Sequence, residues 1–385
     1  MKGITKENVK KYALNEFLTE YKELNTDNKY RPVAVGRYGI RKRESIYSKE
    51  LAKDYSKNKL IHKDTLTVGM GSKQIDIGIL IEDETFAVSP AYHTYEIQGI
   101  RCKYLEYCLQ SKNIEMFSLY AKRGSRQGKS IDLKRWLTYK IPVYSEKDQI
   151  VIEENLNKIN YVIELRRKQI DLLDELVRAR FVEMFGDPVL NEKGWITKPL
   201  IDMGNCKNGM NFHYNENGYE VKCLGVGDFK DLSIINNIES LQTVSLNEMP
   251  TEEYMLRDND IVFVRSNGNK ALVGRSIVIY PGDVPTTFSG FCIRYRKYDD
   301  SIIVPYLLHV LKTDSFRNKM IGRGANIQNL NQQILASLII PVPPLELQNQ
   351  FALFVEEIDK SRSRIQKSLE ASQELFDSLM QEYFG

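Results

Sequence analysis

The sequence predicts an α+β chain in which two mixed α/β lobes are separated by two long helices that pair as an antiparallel coiled coil. Three observations support this fold class: a duplication at a constant offset of 199 residues, a heptad-like apolar spacing in both copies, and alternating β-type runs elsewhere. A solenoid would show many short periods. One long period therefore indicates a duplicated two-part unit with pseudo-twofold symmetry.

The duplication consists of identical residues at matching positions. The first copy contains Ile141-Pro142-Val143, Gln149, Ile159, Leu176, Glu183 and Phe185-Gly186, and the second contains Ile340-Pro341-Val342, Gln348, Ile358, Leu375, Glu382 and Phe384-Gly385. The sequences between these segments diverge. We therefore expect the two repeated segments to share one role and the two lobes to differ in theirs.

Each repeated segment is predicted to be a long helix with a coiled-coil seam, in which seven of nine positions are apolar or aromatic. The seam positions are Leu156, Ile159, Ile163, Arg166, Ile170, Leu173, Val177, Arg180 and Met184 in the first helix, and Val355, Ile358, Arg362, Ile365, Leu369, Ser372, Phe376, Leu379 and Tyr383 in the second. Ser145 and Asp148 resemble a capping box at the start of the first helix. Gly186, followed by Asp187-Pro188, is a stop signal at its end.

The expected segments follow from these signals. They are a first lobe at 1–144, a central helix at 145–186, a second lobe at 187–343 and a C-terminal helix at 344–385. The second lobe joins the end of one helix to the start of the other, so antiparallel pairing is the simplest outcome. Runs such as Ile261–Val264 and Ser276–Tyr280 are typical of strands.

Composition is that of an ordinary globular chain: 42% of residues are hydrophobic and 27% are charged. The mean hydropathy of −0.39 and the lack of a long apolar run argue against a membrane span. The N-terminal residues have no apolar signal-peptide core. Five scattered cysteines without a CxxC pair are typical of reduced thiols. We therefore expect a cytoplasmic location.

Basic clusters indicate a polyanion partner. Residues 1–145 carry 27 Lys and Arg against 17 Asp and Glu, although the whole chain has a net charge of only +3. Arg and Lys suit phosphates and guanine edges, whereas Asn and Gln suit adenine edges. The candidate DNA-binding residues are Arg37, Tyr38, Arg41, Lys42, Arg43, Arg123, Arg126 and Lys129 in the first lobe, and Arg265, Asn267, Asn269, Lys270, Arg323, Asn326 and Gln328 in the second. Solvated loops are the alternative for any one cluster.

Catalytic and metal motifs are weak. The segment 124–130 resembles a Walker A loop but has three residues between its glycines instead of four, so a basic turn is the better interpretation. The four histidines stand alone, without cysteines at ligand spacing. No nucleophile elbow is present. The sequence predicts no catalytic residues and no metal ligands.

Two variable lobes, each followed by Ile-Pro-Val, a glutamine at a helix start and a long helix closing on Phe-Gly, resemble the specificity subunit of type I restriction–modification systems. The resemblance covers essentially the whole chain, and its most specific parts are the stretch 340–348, Ile141-Pro142-Val143 with Gln149, and the duplication itself. The first lobe departs from the pattern, because residues 1–60 lack a clear counterpart to the stretch 195–200. Tyr144-Ser145 also replaces the two prolines of the second copy.

The resemblance implies that the lobes are target recognition domains, each reading one half of a bipartite, asymmetric DNA sequence. It implies that the helices act as a spacer and bind two methyltransferase subunits, and that a restriction/translocase subunit joins for cleavage. The cofactors S-adenosylmethionine, ATP and Mg belong to those partners, so none is expected in this non-catalytic subunit. The alternative is a stand-alone DNA-binding or scaffold protein that self-associates through its coiled coil.

Overall fold

The computed structural model describes residues 9–36, 39–46, 54–123, 129–212, 218–229, 233–321 and 329–385; the side chains of 123, 129, 270 and 321 are outside this description. The chain divides into two compact units. Unit 1 comprises Met1–Lys168 and Ile365–Gly385, and unit 2 comprises Gln169–Arg364. Each unit therefore contains one globular part and one half of each long helix.

Unit 1 contains a four-stranded antiparallel sheet and several two-stranded ladders. Its strands are β1 (Lys10–Ala13), β2 (Leu18–Glu20), β3 (Val33–Gly36), β4 (Gly39–Lys42), β5 (Lys59–Ile61), β6 (Thr65–Met70), β7 (Ile75–Leu80), β8 (Phe86–Val88), β9 (His93–Ile97), β10 (Ala121–Arg123), β11 (Lys129–Ile131) and β12 (Lys140–Val143). The sheet has the order β2-β9-β6-β7, and the ladders are β1–β12, β3–β4, β5–β8 and β10–β11.

The helices of unit 1 cover one face of that sheet. They are α1 (Cys102–Ser111), α2 (Asn113–Tyr120), α3 (Leu133–Trp136), the first half of α4 (Glu146–Phe185) and the second half of α8 (Leu345–Phe384). Leu66, Val68 and Tyr95 of the sheet join Leu105 of α1 and Trp136 of α3 in one core, where each is at most 1% exposed. Burial of these apolar side chains is the main stabilising contribution to the unit.

Unit 2 contains a five-stranded sheet of order β14-β21-β18-β19-β16 and a three-stranded sheet of order β17-β15-β20. Its strands are β13 (Thr197–Pro199), β14 (Gly204–Asn208), β15 (Tyr219–Leu224), β16 (Ile234–Ile235), β17 (Gln242–Leu246), β18 (Asp260–Val264), β19 (Ser276–Ile279), β20 (Thr286–Phe288), β21 (Cys292–Lys297) and β22 (Ile339–Pro341). Its helices are α5 (Val304–Lys312), α6 (Asp314–Ile321), α7 (Gln332–Ala336), the second half of α4 and the first half of α8.

The predicted strand in 261–264 is confirmed and lies in the middle of the larger sheet. Ile261 and Phe263 belong to the core that includes α5, while Val262 and Val264 belong to a second core on the opposite face. Both faces of β18 are therefore covered, which explains why its sequence is continuously apolar. The predicted strand at 276–280 is also confirmed, as β19 (Ser276–Ile279).

A buried glutamine joins each long helix to its globular part in the same way. In unit 1, Gln149 accepts the backbone N–H of Arg101 at 3.2 Å and donates to Tyr144 O at 2.9 Å. In unit 2, Gln348 accepts the N–H of Ile303 at 2.9 Å and donates to Pro343 O at 2.7 Å. We call each of these arrangements a glutamine clamp. The two clamps confirm the duplication at the level of hydrogen bonds.

A second pair of matching contacts explains the repeated Phe-Gly. Phe384 packs against the ring of Tyr104 at 5.4 Å in unit 1, and Phe185 packs against Tyr306 at 4.8 Å in unit 2. The tyrosine hydroxyls donate to the carbonyls of the repeated Ile-Pro-Val strands, at Pro142 (2.7 Å) and Pro341 (3.0 Å). Gly186 follows Phe185 with φ +74°, the left-handed conformation that ends the helix.

Within each unit the two long helices run antiparallel, as predicted. In unit 1, Asn155 contacts Tyr383, and Arg166 donates to Ser368 O at 2.5 Å and to the hydroxyl of Ser372. The seam residues Leu156 and Ile163 are at most 2% exposed. The mixed α/β class with two paired long helices is therefore confirmed.

Unit 2 shows the same antiparallel order. Asp174 forms an ion pair with Arg362, and Phe181 packs against Phe351 at 5.4 Å. The predicted helix start at Ser145 is also confirmed, because Ser145 Oγ accepts the N–H of Asp148 at 3.3 Å, which is the N-cap half of the predicted capping box, and donates to the Asp148 carboxylate at 2.6 Å. None of the helices in the described part of the chain combines the length and apolarity needed to cross a membrane.

The first globular part does contain a counterpart of the stretch 195–200. Strand β1 pairs with β12 as β13 pairs with β22, and each is followed by one short 3₁₀ turn. Leu14 N–H donates to Tyr139 O at 3.0 Å, and Leu200 N–H donates to Leu338 O at 2.8 Å. The expectation that this element is missing from residues 1–60 is therefore wrong. Backbone pairing of this kind does not require side-chain identity.

Candidate nucleic-acid interface

The first predicted basic cluster lies on the hairpin β3–β4 of unit 1. Arg41 and Lys42 are exposed residues of β4, and Arg43 begins the turn that follows. The ammonium group of Lys42 lies 3.8 Å from the Glu84 carboxylate and 5.7 Å from the centre of the Phe86 ring. A nearby carboxylate reduces the local positive charge, so this cluster is less basic than its sequence indicates. Arg37 and Tyr38 lie outside the described residues.

The second predicted cluster lies on the hairpin β10–β11. Arg123 and Lys129 are paired across its last described rung, so the backbone brings their positions together. The adjacent Lys122 forms an ion pair with Asp132 at 2.5 Å, and its ammonium group holds the pKa of that carboxyl below its usual range. Arg126 lies outside the described residues.

Unit 2 contains a cleft of about 880 Å³ at the end of its sheets. It is lined by residues from six separate segments: Phe212, Cys223, Gly225, Val226, Gly227, Asp228, Gln242, Ser266, Asn267, Gly268, Ser289, Phe291 and Asn329. The loop after β18 contributes three of these residues, and the loop between β20 and β21 contributes two. One predicted residue, Asn267, therefore lines a concave surface that the sequence did not reveal.

Arg265 holds the two main loops of this cleft together. Its backbone N–H donates to Phe291 O at 2.8 Å, and its guanidinium donates to Gly290 O at 3.3 Å. Its carbonyl accepts the N–H of Leu330 at 2.8 Å. The predicted role of Arg265 in contacting bases stays a prediction, and the structure adds a positioning role for the same residue.

The polar side chains beside Arg265 organise the loop itself. Asn267 Oδ1 accepts the N–H of Asn269 at 2.7 Å, and Asn269 Oδ1 accepts the N–H of Ala271 at 3.1 Å. Such Asx turns fix the side-chain rotamers before any ligand arrives. Lys270 follows in a short 3₁₀ helix. Arg323, Asn326 and Gln328 lie outside the described residues, but their neighbour Asn329 pairs with Ser266 and lines the cleft.

The structure also identifies residues that sequence reasoning missed. The side chain of Phe291 is 61% exposed at the cleft. Asp228 accepts the N–H of Gly225 at 2.9 Å, and Gln242 begins β17. The sequence gives no signal for them, since an isolated Phe or Gln predicts no cleft. The same cleft contains Cys223, where burial raises the pKa of the thiol to about 12, so this thiol is a poor nucleophile.

Residues 192–373 match the family model "Type I restriction modification DNA specificity domain". Among curated proteins, the chain is 24% identical over 261 residues to the type I restriction enzyme StySPI specificity subunit of Salmonella potsdam, covering 63% of this chain and 55% of that protein. It is 25% identical to the EcoKI specificity subunit of Escherichia coli strain K12, covering 46% of this chain and 39% of that protein. The chain thus spans less than two thirds of either relative.

Among solved structures, the fold is similar to that of the type I restriction–modification system S subunit from M. genitalium. The superposition has a TM-score of 0.56 at 17% sequence identity, and it covers 100% of this chain and 98% of that one. At this identity the likeness concerns the fold. The predicted resemblance to specificity subunits is confirmed by the three comparisons together.

Proposed function

We propose that this chain, whose residues 192–373 match the family model of a type I restriction modification DNA specificity domain, reads the DNA sequence for a type I restriction–modification complex. Each globular part contacts one half of a bipartite, asymmetric target in double-stranded DNA. The chain also recruits two methyltransferase subunits and, through the assembled complex, restriction/translocase subunits. It works in the cytoplasm, where those partners and their DNA are found.

The observation that supports this proposal best is the pair of glutamine clamps. Gln149 is 4% exposed and Gln348 is 0% exposed, and both bond to backbone groups at the start of a short helix. The two clamps share an accepted N–H and a donated bond, so two globular parts with unlike loops are attached in a matching way. Such an arrangement suits a protein that presents two different reading surfaces from one scaffold. The cleft of unit 2 supplies amide groups and an aromatic ring, which are side chains that can read base edges.

Recruitment of two copies of one partner is supported by a repeated exposed leucine. Leu176 on α4 is 47% exposed, and its equivalent Leu375 on α8 is 46% exposed. The two residues occupy the same position relative to the repeated Phe-Gly. Leu176 and Leu375 thus expose an apolar side chain to water at equivalent positions. Two copies of one partner subunit could each contact one of these leucines in the same way.

We propose that methyl transfer and DNA cleavage belong to the partners. S-adenosylmethionine, ATP and Mg would accordingly bind to the methyltransferase and restriction subunits, and none to this chain. The raised pKa of the Cys223 thiol agrees with a cleft that binds without reacting. The isolated chain should therefore transfer no methyl group to DNA that carries its target.

The alternative is a scaffold that self-associates through its coiled coil. The seams argue against it, because Ile163 in unit 1 and Val177 in unit 2 are at most 6% exposed within this single chain. A coiled coil whose seam is already filled has no free seam for a second copy.

Affinity purification of the tagged chain from its native host tests the proposal. Methyltransferase subunits should co-purify at two copies per chain, and the complex should methylate DNA at one bipartite sequence. Methylation mapping across the host genome then gives the target. A chain that purifies only with itself, or that methylates DNA without partners, would contradict the proposal.

A further inference from the structure

Phe291 is held by a rigid backbone while its ring faces solvent. The carbonyl of Phe291 accepts the N–H of Arg265 at 2.8 Å, and its own N–H donates to Ser289 Oγ at 3.3 Å. The preceding residue, Gly290, donates to Met210 O at 2.6 Å, and an added Cβ there would overlap the side chain of Asn211. The loop is therefore packed on its inner side. The backbone that carries this 61% exposed residue is therefore set before any ligand binds.

A single exposed phenylalanine on a protein surface needs no explanation by itself. Phe291, however, lines one cleft together with Asn267, Gln242 and Asn329. An apolar ring beside planar amides is a combination that a phosphate group does not require. It matches the edge of a base pair, which presents apolar and hydrogen-bonding groups side by side.

The charge of the cleft points in the same direction. Among the described residues that line it, Asp228 carries the only charge, and that carboxylate accepts the N–H of Gly225 at 2.9 Å. A surface that binds phosphates is expected to contain Lys or Arg. The uncharged amides and the ring of this cleft are therefore better suited to base edges in the major groove than to the backbone.

We propose that the cleft of unit 2 reads an A·T base pair, with Phe291 against the C5-methyl group of thymine and the Asn267 amide on the adenine edge. Apolar side chains read the thymine methyl, and Asn pairs with N6 and N7 of adenine. This inference rests on the proposed function and adds the base pair that unit 2 selects. The Asx turn at Asn267 holds the amide in advance, as the packed loop holds the backbone of Phe291.

Uracil pairs like thymine but lacks the C5-methyl group, so it probes this contact without changing the protein. Once the target is mapped, duplexes are made in which each thymine of the half-site read by unit 2 is replaced by deoxyuridine in turn. Binding is measured with the purified full complex. One position should show about fourfold weaker binding, which is the value expected for one buried methyl group.

The Phe291→Ala complex should bind the thymine and uracil duplexes equally at that position. Tyr298→Ala is the matched control, because Tyr298 is 60% exposed and lies beyond the other end of β21, about 20 Å away at ~3.3 Å per residue. This control should keep the fourfold difference. Replacing the partner adenine by 7-deazaadenine should weaken the wild type but not Asn267→Ala.

A half-site without any methyl-sensitive thymine would refute the inference, and so would a fourfold difference that survives in Phe291→Ala. In both cases the complex still prefers its target over a scrambled duplex, so the proposed function stands. A complex without any sequence preference would refute the proposed function and this inference with it.

Discussion

Replacing Gln348 by Ala should destabilise unit 2 more than any surface glutamine replacement destabilises the chain. Gln348 is 0% exposed and makes three hydrogen bonds to backbone groups, with Ile303 N at 2.9 Å, Ser301 O at 2.9 Å and Pro343 O at 2.7 Å. Each such bond contributes about 1 kcal/mol net, and the backbone groups left behind would be buried without these partners. The free energy of unfolding should therefore fall by about 3 kcal/mol.

Thermal unfolding of the full chain measures this effect. For a unit of about 200 residues, a loss of 1 kcal/mol lowers Tm by about 2–4 °C, so Gln348→Ala should lower the Tm of unit 2 by about 6–12 °C. Gln149→Ala removes two bonds and should have a smaller effect on unit 1. Gln366 bonds only to Glu370 on the helix surface, so Gln366→Ala is the matched control and should change Tm little. A Gln348→Ala protein as stable as this control would refute the role given to the clamp.

The remaining predictions concern binding, assembly and pH. Arg265→Ala should weaken recognition of one half-site by about 1–3 kcal/mol in competition binding. Arg41→Ala should instead weaken the binding of all DNA sequences alike and reduce the salt dependence of binding, as expected for a phosphate contact. Equal effects of the two variants would contradict this difference in roles. Leu176→Glu and Leu375→Glu should each remove one methyltransferase copy from the purified complex, read by native mass spectrometry, and two retained copies would exclude these leucines as contacts. Burial lowers the pKa of His309 from 6.5 to about 4. Between these two pH values the unfolded chain binds a proton at His309 that the folded chain does not bind. The free energy of unfolding should therefore fall by up to about 3 kcal/mol as the pH falls from 6.5 to 4. His309→Leu should flatten this pH dependence in urea titrations, and an unchanged slope would show that other groups cause it.

The long helices could be predicted from sequence because each constraint on them is local and periodic. A seam residue recurs every three or four positions, and the cap at Ser145 and the stop at Gly186 lie next to the helix they end. The repeated Gln149 and Gln348 were visible as identical letters. The structural role of these two glutamines could not be predicted, because it depends on backbone groups about 45 residues away in the sequence.

The candidate site could be predicted only in part, because it is assembled from distant segments. Asn267 was found from its polar neighbours, but Phe291 and Gln242 belong to separate loops that meet only in the folded unit. Strand β1 was missed for a related reason. Its pairing with β12 uses backbone groups, and Leu14 is a single apolar residue without a sequence pattern around it.

The two clamps show why some positions are shared by both copies and others differ. Gln149 and Gln348 bond to backbone atoms, which are present whatever the neighbouring side chain is, so the same glutamine works in both units. One turn further on, Glu153 forms a bidentate pair with Arg101 at 2.8–2.9 Å, and this contact depends on both side chains. In unit 2 the position equivalent to Glu153 is Ala352, and the residue before α5 is Ile303. The two side chains of the Glu153–Arg101 pair can thus both differ between the two copies. The glutamine, which bonds to the backbone, keeps the same attachment geometry in each copy.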